Sequence, residues 1–194
     1  MRISEISLFI SLTLFSIGTT LAAGPPAEML AYTCAGCHGT DGSSVGPSSP
    51  YIAGMNEEYF IESMEDYKED KRNPTIMNRI AKAYSDEQIA GMAKFFVNQK
   101  VHLLPQKFDA GKAEQGAKYH EKYCEKCHED GGRDASDGGT LAGQWEPYLR
   151  FSIEDFQSGK REMVKKMRKK METMEKEQGE KAVEALINFY ISQH

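Results

Sequence analysis

Two motifs of the form Cys-x-x-Cys-His, Cys34 to His38 and Cys124 to His128, stand 90 residues apart and use all four cysteines of the chain. Four cysteines in an exported protein ordinarily mean two disulfides. The histidine directly after each pair points elsewhere. Two thiols at this spacing add across the vinyl groups of a haem, and the neighbouring imidazole becomes an iron ligand. The expected cofactors are two covalently bound haem c, attached through Cys34, Cys37, Cys124 and Cys127, with His38 and His128 as iron ligands. This constrains the fold. A half-chain of roughly 80–90 residues is marginal by surface-to-volume arguments, and a large apolar cofactor at its centre supplies buried area that side chains alone do not. A mean hydropathy of −0.57 fits that need.

The repeat extends past the motifs. At an offset of 89, Ile52-Ala53-Gly54 matches Leu141-Ala142-Gly143, Tyr59 matches Tyr148, Glu65-Asp66-Tyr67 matches Glu154-Asp155-Phe156, and Lys71-Arg72 matches Lys160-Arg161. Two homologous domains follow. Each ends on an amphipathic helix. Ser85 and Gln88 form a capping box ahead of Ile89, Met92, Ala93, Phe96 and Val97, and the second half repeats the stripe in Val183, Leu186, Ile187, Tyr190 and Ile191. A helix capped by Asp109 leads into the second motif through Ala113, Gly116, Ala117 and Tyr119, and a short one over 27–32 precedes the first. No run alternates like a strand. The expected fold is all-α, with two domains each wrapped around one haem: 24–100, a linker at 101–108 holding Pro105, and 109–194. Residues 1–23 read as a signal peptide ending at Leu21-Ala22-Ala23, an uncleaved anchor being the alternative. The expected location is the periplasm, with no membrane span in the mature chain.

For electron transfer the sixth iron position is best filled, and a thioether raises the potential relative to a second imidazole. Of the 10 methionines, Met77 follows Pro74 in an expected loop ahead of the capped helix and resembles the distal ligand of small class I cytochromes c. In the second half the repeat without gaps falls on Lys166, beside Met167; Met171 and Met174 then continue its helix face, so Met167 is expected, with Met163 the alternative. His102, His120 and His194 read as solvated side chains. Gly46-Pro47 resembles the family's proximal loop, whose proline carbonyl accepts a hydrogen bond from the ligand imidazole; the second half has Asp137-Gly138-Gly139 there instead.

The stretches Cys34-Ala-Gly-Cys-His38-Gly, Ser44-Val45-Gly46-Pro47, Thr75-Ile76-Met77-Asn78-Arg79-Ile80-Ala81-Lys82, Tyr123 to His128 and Leu141 to Trp145 together resemble the cytochrome subunit of flavocytochrome c sulfide dehydrogenase. A broader similarity reaches dihaem cytochromes of the c-four type. The resemblance implies two class I cytochrome c-like domains, a separate FAD-containing sulfide dehydrogenase subunit that oxidises sulfide, and a soluble cytochrome c as electron acceptor. This chain has no Gly-x-Gly-x-x-Gly fingerprint and no spare cysteine, so it carries the electron-transfer half and is not catalytic alone.

The alternative is a free-standing dihaem carrier of the c-four type, donating to a terminal oxidase or reductase. A haem peroxidase needs an open iron position, which two bound methionines deny. A net charge of −5 argues against nucleic acid. The run Lys160, Arg161, Lys165, Lys166, Arg168, Lys169, Lys170 is read as a solvated helix face compensated by Glu172, Glu175, Glu177 and Glu180, with docking of an acidic partner the other reading. Trp145 and Tyr148 are expected beside the second haem, Tyr59 and Phe60 beside the first.

Overall fold

The computed structural model describes residues 24–73, 75–134 and 138–194. The expected signal peptide, Pro74 and Asp137 lie outside the described residues. The first half holds α1 (Ala27–Ala31), which continues through a tight turn at Tyr32–Cys34 into α2 (Ala35–His38), then α3 (Glu57–Lys68), α4 (Ile76–Ala81) and α5 (Asp86–Val97). The second half holds α6 (Ala110–Tyr123), a distorted turn α7 (Glu129–Gly132), α8 (Glu146–Gln157), α9 (Lys165–Gln178) and α10 (Lys181–Ile191). Among the described residues there is no strand, only an isolated bridge between Glu129 and Asp134.

Local chemistry sets the helix starts. An N-cap oxygen accepts from an amide that has no partner within its helix. Asn56 does so for Tyr59 at 2.9 Å, and Asp109 for Lys112 at 3.0 Å. Ser85 and Gln88 close the expected capping box on α5. Thr75 and Asn78 close a second one, not expected, on α4. That box starts a helix where a loop was expected, and Met77 therefore sits in the first turn of α4.

Each half has its own core. In the first, α1 and α3 pack on α5, and α4 packs on α3, around Ile52, Phe60, Met64, Ile89, Met92 and Phe96. In the second, α6 packs along α10 around Tyr123, Leu149, Met174, Leu186, Ile187 and Ile191. Each large apolar side chain buried this way stabilises by roughly 1.5–3 kcal/mol. Val97, expected on the α5 stripe, lies at its edge and is 38% exposed. The α6 and α10 backbones touch at Gly116, where a Cβ would stand 2.1 Å from the Ala185 carbonyl oxygen.

The duplication is visible in the backbone. The ends of α3 and α8 are both 89 residues apart. The Gly42 carbonyl accepts from Ile52 and Ala53, and the Gly132 carbonyl from Leu141 and Ala142. Gly54 N–H then donates to Phe96 at 2.8 Å, and Gly143 N–H to Tyr190 at 2.8 Å. These bonds fold the loop after each haem motif back onto the last helix of its own half.

The halves meet through buried Gln144, whose amide pairs with a peptide group of the other half: Oε1 accepts from Tyr51 N at 2.9 Å and Nε2 donates to Tyr51 O at 3.2 Å. Trp145 stacks on the Tyr51 ring, with centroids 5.5 Å apart and planes at 13°, and its indole N–H donates to Ser44 O. The connecting segment lies against this contact, with Leu104 N–H donating to the Tyr51 hydroxyl and Gln106 Nε2 donating to the Gly143 and Gln144 carbonyls.

Candidate haem-binding sites

Helical winding through α1 and α2 presents Cys34 half-buried against the first core, Cys37 exposed and His38 buried. His38 Nδ1–H donates to the Pro50 carbonyl at 2.9 Å. The expected acceptor, in Gly46-Pro47, is displaced for a structural reason. A turn closed by Ser49 N–H to Gly46 O leaves Pro47 exposed, while the bonds from Ile52 and Ala53 to Gly42 draw Pro50 inward. Buried Ser44 reinforces the loop, its hydroxyl bonding to the Cys37 and Gly46 carbonyls. Burial lowers the His38 pKa, and the Pro50 bond offsets only part of that, so the ring is held neutral. With Nδ1 occupied, Nε2 is left as the lone pair that a metal needs. Met77 packs against the same core as Cys34.

The second site repeats this with differences. Cys124 is half-buried against the second core, Cys127 is exposed, and burial lowers the His128 pKa, with the charge of nearby His120 adding to it. Nδ1 of His128 is buried and finds no hydrogen-bond partner among the described residues. None of the four cysteines is paired in a disulfide. Met163 is 6% exposed in the loop just ahead of α9, whereas Met167 lies half-buried in the first turn of α9. Neither belongs to the second core, which takes Met171 and Met174 instead.

One expectation changes here. His120 is not solvated: it is buried at 2%, with Nε2 2.6 Å from Glu125 Oε2 and Nδ1 3.0 Å from the Tyr190 hydroxyl. It shares a helix face with Ala113 and Gly116, a spacing that was available as a signal. His102 and His194 are exposed. Tyr59 and Trp145 also reach the opposite half, Tyr59 packing on the first core while accepting from Arg161 at 2.8 Å. The basic run is solvated as expected, with Lys160, Lys165, Lys166, Arg168, Lys169 and Lys170 exposed, and it forms no ion pair with Glu172, Glu175, Glu177 or Glu180; Glu177 pairs with Lys122 and accepts from the Tyr123 hydroxyl.

A bound haem supplies a one-electron iron couple. The chain's own residues supply two thiols per site at thioether spacing, an imidazole that is buried in the first half and half-buried in the second, and a neighbouring apolar core of Phe60, Met64 and Phe96 in one half and Leu149, Leu186 and Ile187 in the other. This donor set fits haem c. The family description Cytochrome c matches residues 27–100, and Cytochrome C oxidase, cbb3-type, subunit III matches residues 111–189. The chain is thus a dihaem c-type cytochrome built from two cytochrome c domains.

Cytochrome c4 of Pseudomonas aeruginosa is 33% identical over 164 residues, covering 77% of this chain and 80% of that protein. The crystal structure of reduced recombinant cytochrome c4 from Pseudomonas stutzeri matches with a TM-score of 0.73 at 25% identity, over 89% of this chain and 100% of that one. The chain belongs to the cytochrome c4 family. The cytochrome subunit of sulfide dehydrogenase of Chlorobaculum tepidum is 44% identical over 71 residues, 37% of this chain and 64% of that protein. No helix among the described residues is long and apolar enough to cross a membrane.

Proposed function

We propose that this cytochrome is the electron-transfer subunit of a periplasmic sulfide-oxidising flavocytochrome, accepting electrons one at a time from an FAD-bearing partner and passing them to a soluble cytochrome. The observation that carries this reading is the density of identity to the sulfide dehydrogenase cytochrome subunit, 44% over its matched stretch against 33% for the longer cytochrome c4 match. In this reading His38 and Met77 ligate the first iron and His128 the second. For the sixth position of the second haem, burial supports Met163 over Met167. A thioether removed from water yet unused by the core is suited to a metal, although Met167, in the first turn of α9, holds the place in its helix that Met77 holds in α4.

Purification of the native, untagged protein tests the partner: a flavin-containing chain should co-purify, and sulfide-dependent reduction of the haems should require it. The length of the cytochrome c4 match favours the second reading, a free-standing dihaem carrier. That reading predicts a flavin-free protein and reduction by other donors. Sulfide turnover by the isolated chain would contradict both.

A further inference from the structure

Three positions of the second half depart from the repeat in the same direction. At the 90-residue offset of the haem motifs, His120 stands where the first half has Leu30, and Glu125, inside the motif, where it has Ala35. Tyr190 takes the place of Phe96, since its carbonyl accepts from Gly143 N–H as the Phe96 carbonyl does from Gly54 N–H. Leu30 packs on the first core and Phe96 is buried in it. Their counterparts are polar and bonded to one another: His120 Nε2 stands 2.6 Å from Glu125 Oε2, and Nδ1 stands 3.0 Å from the Tyr190 hydroxyl.

A polar trio in place of an apolar one is costly unless its members satisfy one another. Here they do, and the trio is graded from inside to outside. The His120 side chain is 3% exposed, whereas that of Glu125 is 42% exposed and opens the pair to water. Glu125 also accepts from the amides of Asp130 and Gly131 at 3.0 and 3.3 Å. Burial works against its charge, but the bonds from His120, Gly131 and Asp130 outweigh that and hold the carboxyl below the ordinary range. Burial, reinforced by Cys124, keeps the Tyr190 hydroxyl protonated. Such a hydroxyl donates to a bare ring nitrogen or accepts from a protonated one, and a carboxylate accepts from either form of the ring. The trio therefore accommodates His120 with or without its second proton.

The trio borders the second haem site. Glu125 sits between the two attachment cysteines, the Tyr190 hydroxyl lies against the Cys124 sulfur, and positive charge on His120 disfavours a proton on His128. The charged groups of the elements packed on α6 are otherwise occupied. On α9, Lys170 acts on Cys124, and Glu177 is taken up by Lys122 and Tyr123. On α7, Arg133 turns to the Asp130 carbonyl. Phe189 of α10 brings only its ring, with centroids 5.2 Å apart. Cys124 does not titrate once it is a thioether.

We infer that the His120–Glu125 pair is a redox-linked proton site: it takes one proton from water when the second haem is reduced and returns it when that haem is oxidised, so the second half moves an electron and a proton together while the first moves an electron alone. The electron comes from the donor and the proton from solvent; His120 passes between imidazole and imidazolium, and no other bond changes. Positive charge on a buried ring disfavours the additional positive charge of Fe(III), and the low dielectric around it leaves that repulsion poorly screened. The inference rests on the two covalent haems and not on the sulfide-oxidising role, so its test is independent of any partner.

In the full holoprotein, spectroelectrochemical titration between about pH 5 and 8, the range in which an imidazole changes charge, should show one haem whose potential falls with rising pH more steeply than the other's. His120→Gln keeps a donor toward Glu125 but cannot take a second proton, and it should abolish that difference in slope. Replacing the trio by the side chains that the first half already packs, His120→Leu with Glu125→Ala and Tyr190→Phe, should do the same. In spectra of the protein labelled with 15N-histidine, the His120 ring should keep its second proton to a higher pH in the ferrous state than in the ferric. Equal slopes in the unaltered protein, or a difference that survives His120→Gln, would assign His120 a purely structural role and overturn the proposal. If the variants do not fold, His120 titrating at the same pH in both redox states of the unaltered protein overturns it equally.

Discussion

Replacing Gln144 by leucine isolates the link between the two halves. Leucine is of similar volume, so little cavity forms, and the change is confined to the amide that Tyr51 N–H and Tyr51 O bond to at 2.9 and 3.2 Å. Tyr51 is buried, so both of its peptide groups lose their partners where water does not readily replace them. An orphaned buried donor or acceptor costs about 1–3 kcal/mol, which puts the two together at about 3 kcal/mol. That energy belongs to the docking of one half on the other, not to either core. Urea unfolding followed by haem absorbance, with calorimetry, should therefore show one cooperative transition separating into two as well as a lower midpoint. Gln144→Glu keeps the acceptor for Tyr51 N–H but sets a carboxylate oxygen against Tyr51 O. Its introduced carboxyl is favoured in the protonated form, so the defect is small in acid and grows as pH rises. A single transition within about 0.5 kcal/mol of the unaltered protein for Gln144→Leu would refute the reasoning.

Gly116→Ala places a methyl 2.1 Å from the Ala185 carbonyl oxygen, so α6 and α10 must separate; overpacking outweighs the gain in helix propensity, and chemical denaturation should show a loss of about 2 kcal/mol. The Glu184 carboxyl is held down to about 2 by its bond to Arg150, with Lys112 assisting. A depressed carboxylate stabilises above its unfolded pKa and ceases to as pH falls through the folded value. Glu184→Gln should therefore cost about 1 kcal/mol at pH 7, after discounting for solvent screening, and that difference should vanish as the pH approaches 2 in parallel thermal melts. Met77→Ala and Met163→Ala should each remove the red thioether-to-iron band of one haem and lower its potential, whereas Met167→Ala should leave both haems spectrally intact; loss of a band in Met167→Ala returns the ligand to that residue.

What could be read from the sequence follows from how local each feature is. The haem motifs, the Ser85-Gln88 and Asp109 caps, and the α10 stripe depend on neighbours a few residues away, and they stand where expected. Choosing Pro50 over Pro47 needed the loop to be closed by Gly42, ten residues before Ile52, and no short-range pattern encodes that closure. His120 was legible in principle, since it shares the face of Ala113 and Gly116, but a polar residue near a helix end invites a solvated reading. That Tyr59 and Trp145 also reach across the seam was not legible, because a repeat offset states which residues correspond, not how the two copies face one another. Their partners lie about a hundred residues away in the chain.

The chain contains a single tryptophan, and it stands at the domain contact, stacked on Tyr51 with its indole N–H bonded to Ser44 O. Ser44 is itself tied to the Cys37 carbonyl, so the indole sits two hydrogen bonds from a haem attachment point. Intrinsic fluorescence from this protein is thus a built-in proximity gauge. Energy transfer to the haem of its own half should keep this emission dark whether the halves are docked or parted, and it should brighten only when the second half unfolds and the indole moves away from that porphyrin. Stopped-flow fluorescence can therefore time the unfolding of the second half alone, without an added label, while haem absorbance reports on both halves.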